Sequence, residues 1–281
     1  MGFCYSRKDN FKEALNAYKS ALTIFRSLNN KKAQAECLGI IGGLYFRNNY
    51  IKEALTTYEM ALYFAKQIKN REMEADILGD IGSVLDYLDR FNDAIDVFTR
   101  SLKIYRKIGR QKSTRGEARA LYDLGMVYYH AKRLGEARAH LDKALRLMKK
   151  NNDRKGEANC YATLGDVHLE LGEIDIAEKN YGRALKFFTT HNSLFGIINT
   201  KIGLAKIALQ KNDLTSARKK FEETFTLASK GQYPKLMASS LLYLSKVYEE
   251  LGDQKEAKNY KTKAQKILKE LGIKIEEMNQ K

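Results

Sequence analysis

Seven small residues recur along the chain at a spacing of 40, with one step of 43 between the third and fourth: Gly2, Gly42, Gly82, Gly125, Gly165, Ala205 and Ser245. Twelve residues beyond each stands an alanine: Ala14, Ala54, Ala94, Ala137, Ala177, Ala217 and Ala257. Three beyond it the chain carries Tyr5, Tyr45, Leu85, Tyr128, His168, Ala208 and Tyr248, and sixteen beyond it Tyr18, Tyr58, Phe98, Leu141, Tyr181, Phe221 and Lys261. A period in this range marks stacked repeats, in which each supersecondary unit buries its apolar face only by lying against its neighbours. Seven copies take up nearly all of the 281 residues, so a single stack is expected rather than two ordinary domains.

Each unit reads as two helices. In the second, helix A is expected over Lys31 to Arg47, a turn at Asn48 and Asn49, and helix B from Ile51 to about Ile68. Asn30, Asn70, Ser113, Asp153 and Ser193 stand where a helix A begins and can accept a hydrogen bond from an otherwise unpaired backbone N–H. The seventh unit has Tyr233-Pro234 there, which places Pro234 at a first helical position that needs no N–H. Gly39, Gly42 and Gly43 are read as packing residues, because Gly in a helix costs about 1 kcal/mol and is kept where a β-carbon would hold two helices apart. The phosphate-cradling orders G-x-G-x-x-G and G-x-x-x-x-G-K do not occur.

The order small residue, aromatic at plus three, Ala at plus twelve and aromatic at plus sixteen resembles the tetratricopeptide repeat. The resemblance implies an all-α fold, a right-handed α-solenoid of seven stacked helix-turn-helix repeats over 1–272, the first shortened at its N-terminus, followed by a polar tail at 273–281. The 40-residue period exceeds the usual 34. In this it is similar to kinesin light chains and Leu-Gly-Asn-type adaptors, whose linkers carry strings like Asp153-Arg154-Lys155-Gly156-Glu157-Ala158. The lysines of the last helix, including Lys261 in the aromatic column, suit a polar closing face, whereas Phe3, Tyr5 and Phe11 lack an obvious cover and suggest an upstream element.

One proline, no tryptophan and the absence of any apolar run near the roughly 20 residues of a membrane span describe a helix-rich protein expected in the cytoplasm, with no membrane insertion and no signal peptide ahead of the first repeat. Cys4, Cys37 and Cys160 have no CxxC spacing and are read as core thiols. His130, His140, His168 and His191 form no metal-spaced set, and His168, which replaces a tyrosine, is expected to be packed with its polar atoms satisfied. Neither a cofactor nor catalysis is indicated. The segment from Gly109 to Arg115, which holds the three-residue insertion, reads as a longer surface loop or as a hinge or partner-contact loop.

The chain carries 50 basic and 34 acidic residues, a net +16, which points to an anionic partner if the charge is spread evenly. In the family resembled, one stripe of helix A lines a concave groove where partner peptides lie. Transferred to this sequence, that stripe holds Asp76, Asp80, Asp86, Asp123, Asp166 and Glu170, with Glu36, Glu249 and Glu250 toward the ends; Arg7, Arg47, Arg119, Lys206 and Lys246 are its basic members. Nine acidic against five basic leaves the stripe negative while the chain is positive, which disfavours nucleic acid in the groove. Tyr87, Tyr122, Tyr129 and His130 lie in the same stripe, either exposed to a ligand or buried between neighbouring helices. The expected function is a non-enzymatic scaffold that binds a protein or peptide segment of basic character through Asp76, Asp80, Asp86, Tyr87, Arg119, Tyr122, Asp123, Tyr129, His130, Asp166 and Glu170. Two alternatives stand beside it: binding of nucleic acid or an anionic surface by the lysine-rich outer face, and a peptide-sensing fragment of a larger protein.

Overall fold

A computed structural model describes the backbone of residues 2–109 and 114–273, and side chains in those ranges from Phe11 onward. The expectations placed on Phe3, Cys4, Tyr5, Arg7, Ser113, residues 110–113 of the segment that holds the three-residue insertion, and the tail beyond Ile273 lie outside them. Thirteen helices and no strand occur among the described residues: α1 Gly2–Ser27, α2 Lys31–Arg47, α3 Ile51–Gln67, α4 Arg71–Tyr87, α5 Phe91–Ile108, α6 Thr114–His130, α7 Leu134–Lys150, α8 Arg154–Glu170, α9 Ile174–Thr190, α10 Leu194–Gln210, α11 Leu214–Lys230, α12 Pro234–Glu250 and α13 Gln254–Glu270. The expected all-α stack of helix hairpins is therefore what the chain forms. The helices fall into two compact units, Met1–Asn151 and Asn152–Lys281. In the first, α1 packs on α2, and the hairpins α2/α3, α4/α5 and α6/α7 follow; the second holds α8/α9, α10/α11 and α12/α13.

The 40-residue period is two periods of 20. After α2, Asn48 caps the helix and Asn49 takes a left-handed backbone at φ 65°. The N–H of Tyr50 reaches back to the Tyr45 carbonyl at 2.9 Å and that of Asn49 to Phe46 at 3.1 Å, the two bonds of a Schellman motif. Tyr50 is then the residue from which α3 starts. One residue closes a helix and opens the next, so 17 helical residues need only three more. The same geometry recurs at Lys69, Asp89, Lys132, Asn192, Asn212, Gln232, Gly172 and Gly252. At the opening residue, Asn30, Asn70 and Asp153 accept from the N–H three residues on at 3.1, 3.1 and 2.9 Å, as their side chains predict. Ser193 makes no such bond, whereas Asp213 and Asp253 cap α11 and α13, two helices for which no cap is read from the sequence. Pro234 is at the first position of α12.

The first repeat departs from the pattern. Where two helices joined by a turn are expected, α1 runs unbroken for 26 residues. Asp9, 40 residues before Asn49, keeps helical backbone and takes no left-handed turn.

The core follows the columns. Ala54, Ala94, Ala137, Ala177 and Ala217 have no exposed surface, and Tyr58, Phe98, Leu141, Tyr181 and Phe221 are buried. The glycine column faces those side chains: a β-carbon on Gly42, Gly82, Gly125 or Gly165 would stand 2.7, 2.7, 2.5 or 2.6 Å from Tyr58, Phe98, Leu141 or Tyr181. What the missing β-carbon admits is chiefly a large side chain rather than the partner backbone. At Gly39, read as a packing residue, an added β-carbon would meet nothing within 4 Å, so the position does not need glycine for packing; at Gly43 it would stand at an ordinary 3.5 Å from the Tyr58 hydroxyl. Cys37 and Cys160 are buried, and the Cys37 thiol donates to the Tyr18 carbonyl at 3.1 Å. At the end of the second unit only Ala257, Ala264 and Leu268 of α13 are buried and its lysines are exposed, the polar face the sequence predicts.

Candidate functional site

In the first unit α4 and α6 are neighbours. Asp76 and Asp80 lie one turn apart on α4, as do Arg119 and Asp123 on α6, so each pair shares a helix face. Arg119 joins the two faces. Its Nη2 is 3.2 Å from Asp80 Oδ1, its Nε 3.8 Å from Asp123 Oδ2 and its Nη1 4.0 Å from Asp76 Oδ1. Asp76 also accepts the Tyr105 hydroxyl from α5 at 2.6 Å. One guanidinium thus serves three carboxylates.

Burial, together with that ratio, sets the protonation. Burial pushes the Asp123 carboxyl up to about 7; Arg119 opposes the shift, while Asp80 and Asp86 add to it. Asp80 is raised by burial and by Asp76 against the pull of Arg119. Burial works against the Arg119 charge, but Asp123, Asp80 and Asp76 outweigh it and leave the guanidinium harder to deprotonate than usual. Arg119 and Asp76 keep about half of their side-chain surface exposed, and Asp123 only a fifth. The cluster therefore presents its cation and one carboxylate to solvent and holds the other two deeper.

The remaining members of the stripe in this unit have local partners. His130 Nδ1 lies 2.9 Å from both oxygens of Asp86, a mostly enclosed pair. The Tyr87 hydroxyl donates to Asn49 at 3.0 Å, and its ring meets Phe46 edge-on at 5.6 Å. Tyr129 is buried, with the Lys132 ammonium 5.5 Å from its ring; Tyr122 is half-buried. Of the two readings of these rings, Tyr129 takes the buried one. The sequence stripe therefore resolves into a four-residue charge cluster, a His–Asp pair and a set of packed rings.

The second unit has its own arrangement. Asp166 accepts the Tyr181 hydroxyl at 2.7 Å, and Glu170 is exposed. Burial opposes the Lys206 charge, but Asp166, the Tyr243 hydroxyl and Glu170 together raise its pKa. Lys206 and Lys246 each place the ammonium 5.2 Å from the Tyr243 ring centroid. His168 is buried and bonds Glu173 through Nδ1, the satisfied packing role predicted for it. Tyr105 and Tyr181 are missing from the stripe as read in the sequence. The signal available was a tyrosine where phenylalanine would fill the space, since a buried hydroxyl needs a partner.

No group of three or more His, Cys, Asp or Glu able to hold a metal ion occurs among the described residues, and none of their helices is long and apolar enough to cross a membrane.

A family model described as tetratricopeptide repeat matches residues 42–107 and 116–190, together half of the chain. No curated protein matches it. Among solved structures, aspartyl phosphate phosphatase F from Bacillus subtilis is similar over 94% of this chain and 68% of its own, with a TM-score of 0.77 at 13% identity. The Rap conjugation gene regulator of the plasmid pLS20, in complex with a Phr peptide, is similar over 86% of this chain and 75% of its own, with a TM-score of 0.65 at 18% identity. The TPR-like repeats of a Podosopora anserina protein described as a kinesin light chain cover 69% of this chain and 94% of their own, with a TM-score of 0.52 at 12% identity. At these identities the likeness is one of fold.

Proposed function

This chain belongs to the tetratricopeptide-repeat family, whose domains typically bind proteins or peptides, and we propose that it is a non-catalytic adaptor holding a peptide segment of basic character along the exposed faces of α4 and α6. The observation that carries the reading is the excess of carboxylate around Arg119: Asp76, Asp80 and Asp123 share one cation, and half of the Asp76 side chain is open to solvent. A lysine or arginine from a ligand supplies the missing positive charge, and the half-buried Tyr87 and Tyr122 flank it with ring surface. Binding rather than catalysis is supported by how the titratable groups are held, since Asp80 is tied to Arg119 and His130 to Asp86.

The test is fluorescence anisotropy with end-labelled peptides of graded charge and equal length. Asp80→Asn combined with Asp123→Asn should weaken binding of the Lys/Arg-rich peptide about tenfold, or roughly 1.4 kcal/mol. Unchanged affinity would remove this face from the function. A second reading, a peptide sensor that regulates another domain, is favoured by the likeness to a Rap regulator in complex with a peptide. It uses the same face and is distinguished by whether the peptide changes the activity of a partner protein.

A further inference from the structure

Each unit also holds a cleft at the edge where a helix A begins and its helix B ends. In the first unit the cleft is about 350 Å³, between α4 and α5; in the second it is about 270 Å³, between α8 and α9. Arg71, Arg100, Lys103 and Lys107 ring the first, over a wall of Leu78, Ile104 and Ile108. Arg154, Arg183 and Lys186 ring the second, over Tyr161, Phe187 and His191. The two are the same repeat positions 83 residues apart, with Arg71 and Arg154, Glu74 and Glu157, Arg100 and Arg183, and Lys103 and Lys186 identical. Packing does not demand this. At those positions the second repeat has Lys31, Gln34, Met60 and Tyr63, and the sixth has Leu194, Ile197, Glu223 and Thr226.

The charges of the clefts are not used up internally. Glu74 and Glu157, each with 9% of the side chain exposed, are held by Arg71 at 2.7 Å and Arg154 at 3.3 Å. Arg100 approaches Asp96 only at 3.9 Å, and Arg183 spends its charge on the face of Tyr161 at 5.1 Å. Lys103, Lys107 and Lys186 are solvent-exposed and make no ion pair among the described residues. In the second cleft His191 stacks on Phe187 at 4.0 Å, extending a planar wall.

We propose that each cleft takes a nucleotide unit of single-stranded nucleic acid, its phosphate on the cationic rim and its base against the apolar or aromatic wall. Two features favour this ligand over an acidic or phosphorylated peptide. The rim is built on arginine pairs, whose planar fork matches phosphate oxygens, and the wall behind it gives a base an apolar surface of Leu78, Ile104 and Ile108 in the first cleft and the Phe187–His191 stack to extend in the second. A carboxylate side chain would engage the rim and leave that wall bare. The site is separate from the carboxylate cluster of α4 and α6, and the net charge of +16 supplies long-range attraction.

The experiment is anisotropy of a fluorescein-labelled 20-mer single strand, as RNA and as DNA, with the full chain across a salt series, and with a phosphoserine peptide as competitor. Arg100→Glu with Lys103→Glu, and Arg183→Glu with Lys186→Glu, should each weaken binding about tenfold or more and flatten the log–log salt slope by roughly 0.7 for each phosphate no longer neutralised. The control pair Lys255→Glu with Lys258→Glu on α13 makes the same change of net charge outside both clefts and should shift affinity less than twofold. The corresponding Gln pairs, checked for helicity by circular dichroism, give the same order of effects if charge reversal disturbs folding. Equal losses in cleft and control variants would show diffuse attraction alone and overturn the site. Displacement of the strand by the phosphopeptide at lower concentration would overturn the ligand class, as would the absence of binding at low salt.

Discussion

Arg119 stands 3.2 Å from Asp80 on the neighbouring helix and 3.8 Å from Asp123 on its own, so one cation closes a bridge both within α6 and between α6 and α4. The pairing joins residues 39 apart and fixes the register of two stacked repeats.

Replacing that cation separates stability from binding. Arg119→Gln removes the cation that Asp76, Asp80 and Asp123 share, and because the guanidinium is half exposed a loss of only about 1 kcal/mol is expected in urea unfolding followed by circular dichroism. The same variant vacates the position a ligand lysine or arginine would fill. Affinity for a Lys/Arg-rich peptide should rise several-fold; a fall would show that Arg119 is needed to hold Asp76, Asp80 and Asp123 in their binding arrangement.

Asp123 makes stability depend on pH. Its pKa is raised from the ordinary 3.8 to about 7, so between those values the folded chain holds a proton that the unfolded chain has released. Stability contributed by this group therefore falls as pH rises through that window and is flat above it. The side chain keeps some exposure, which limits the effect to the order of 2 kcal/mol. Asp123→Asn should raise the thermal midpoint by a few degrees at pH 8 and leave it nearly unchanged at pH 4. Binding of a basic peptide should tighten from pH 6 to pH 8, with proton release measurable by calorimetry in buffers of different ionisation enthalpy.

Two glycines on one helix should respond in opposite directions. On Gly82 a β-carbon would meet the Phe98 ring at 2.7 Å, whereas on Gly79, three residues earlier on α4, it meets nothing within 4 Å. Gly82→Ala should destabilise by about 1–3 kcal/mol through overpacking. Gly79→Ala should stabilise by up to about 1 kcal/mol through helix propensity alone. Denaturation midpoints of the two single variants check both.

The left-handed turn residues offer a second comparison. Lys69 and Gln232 hold φ of 54° and 55° without the tolerance of Gly or Asn, and Gly172 holds 77°. Lys69→Gly and Gln232→Gly should each stabilise by roughly 0.5–1 kcal/mol, and Gly172→Ala should cost about 1 kcal/mol or more. Urea midpoints of these variants would show the opposite signs.

How far the residues spoke for themselves differs between fold and site. Helix α2 was legible from Lys31 to Arg47 because Asn30 caps it and Asn48-Asn49 stops it, both short-range effects written in adjacent side chains. The turn expected in the first repeat is absent, and α1 continues through Asp9 although Asp89 at the equivalent position takes the left-handed turn. In the site, Asp80 and Asp123 share one repeat position, so their common face could be inferred from period alone. The role of Arg119 could not. It occupies the position held by Glu36 and Asp76 in earlier repeats, and only the spacing of α4 from α6 shows that it spans both. The 83-residue identity behind the two basic clefts is visible in the sequence, but their depth is not, since it arises where the end of one helix leaves the start of another.

The residue that ends one helix while beginning the next has a consequence for how such a chain changes length. Among the described joints, those inside a repeat, such as Asn49, and those between repeats, such as Lys69, are geometrically alike. A piece excised or duplicated between two equivalent joints carries its own stop and its own start, and the flanking backbone needs no remodelling. Gene-level growth by whole hairpins therefore asks little of this architecture.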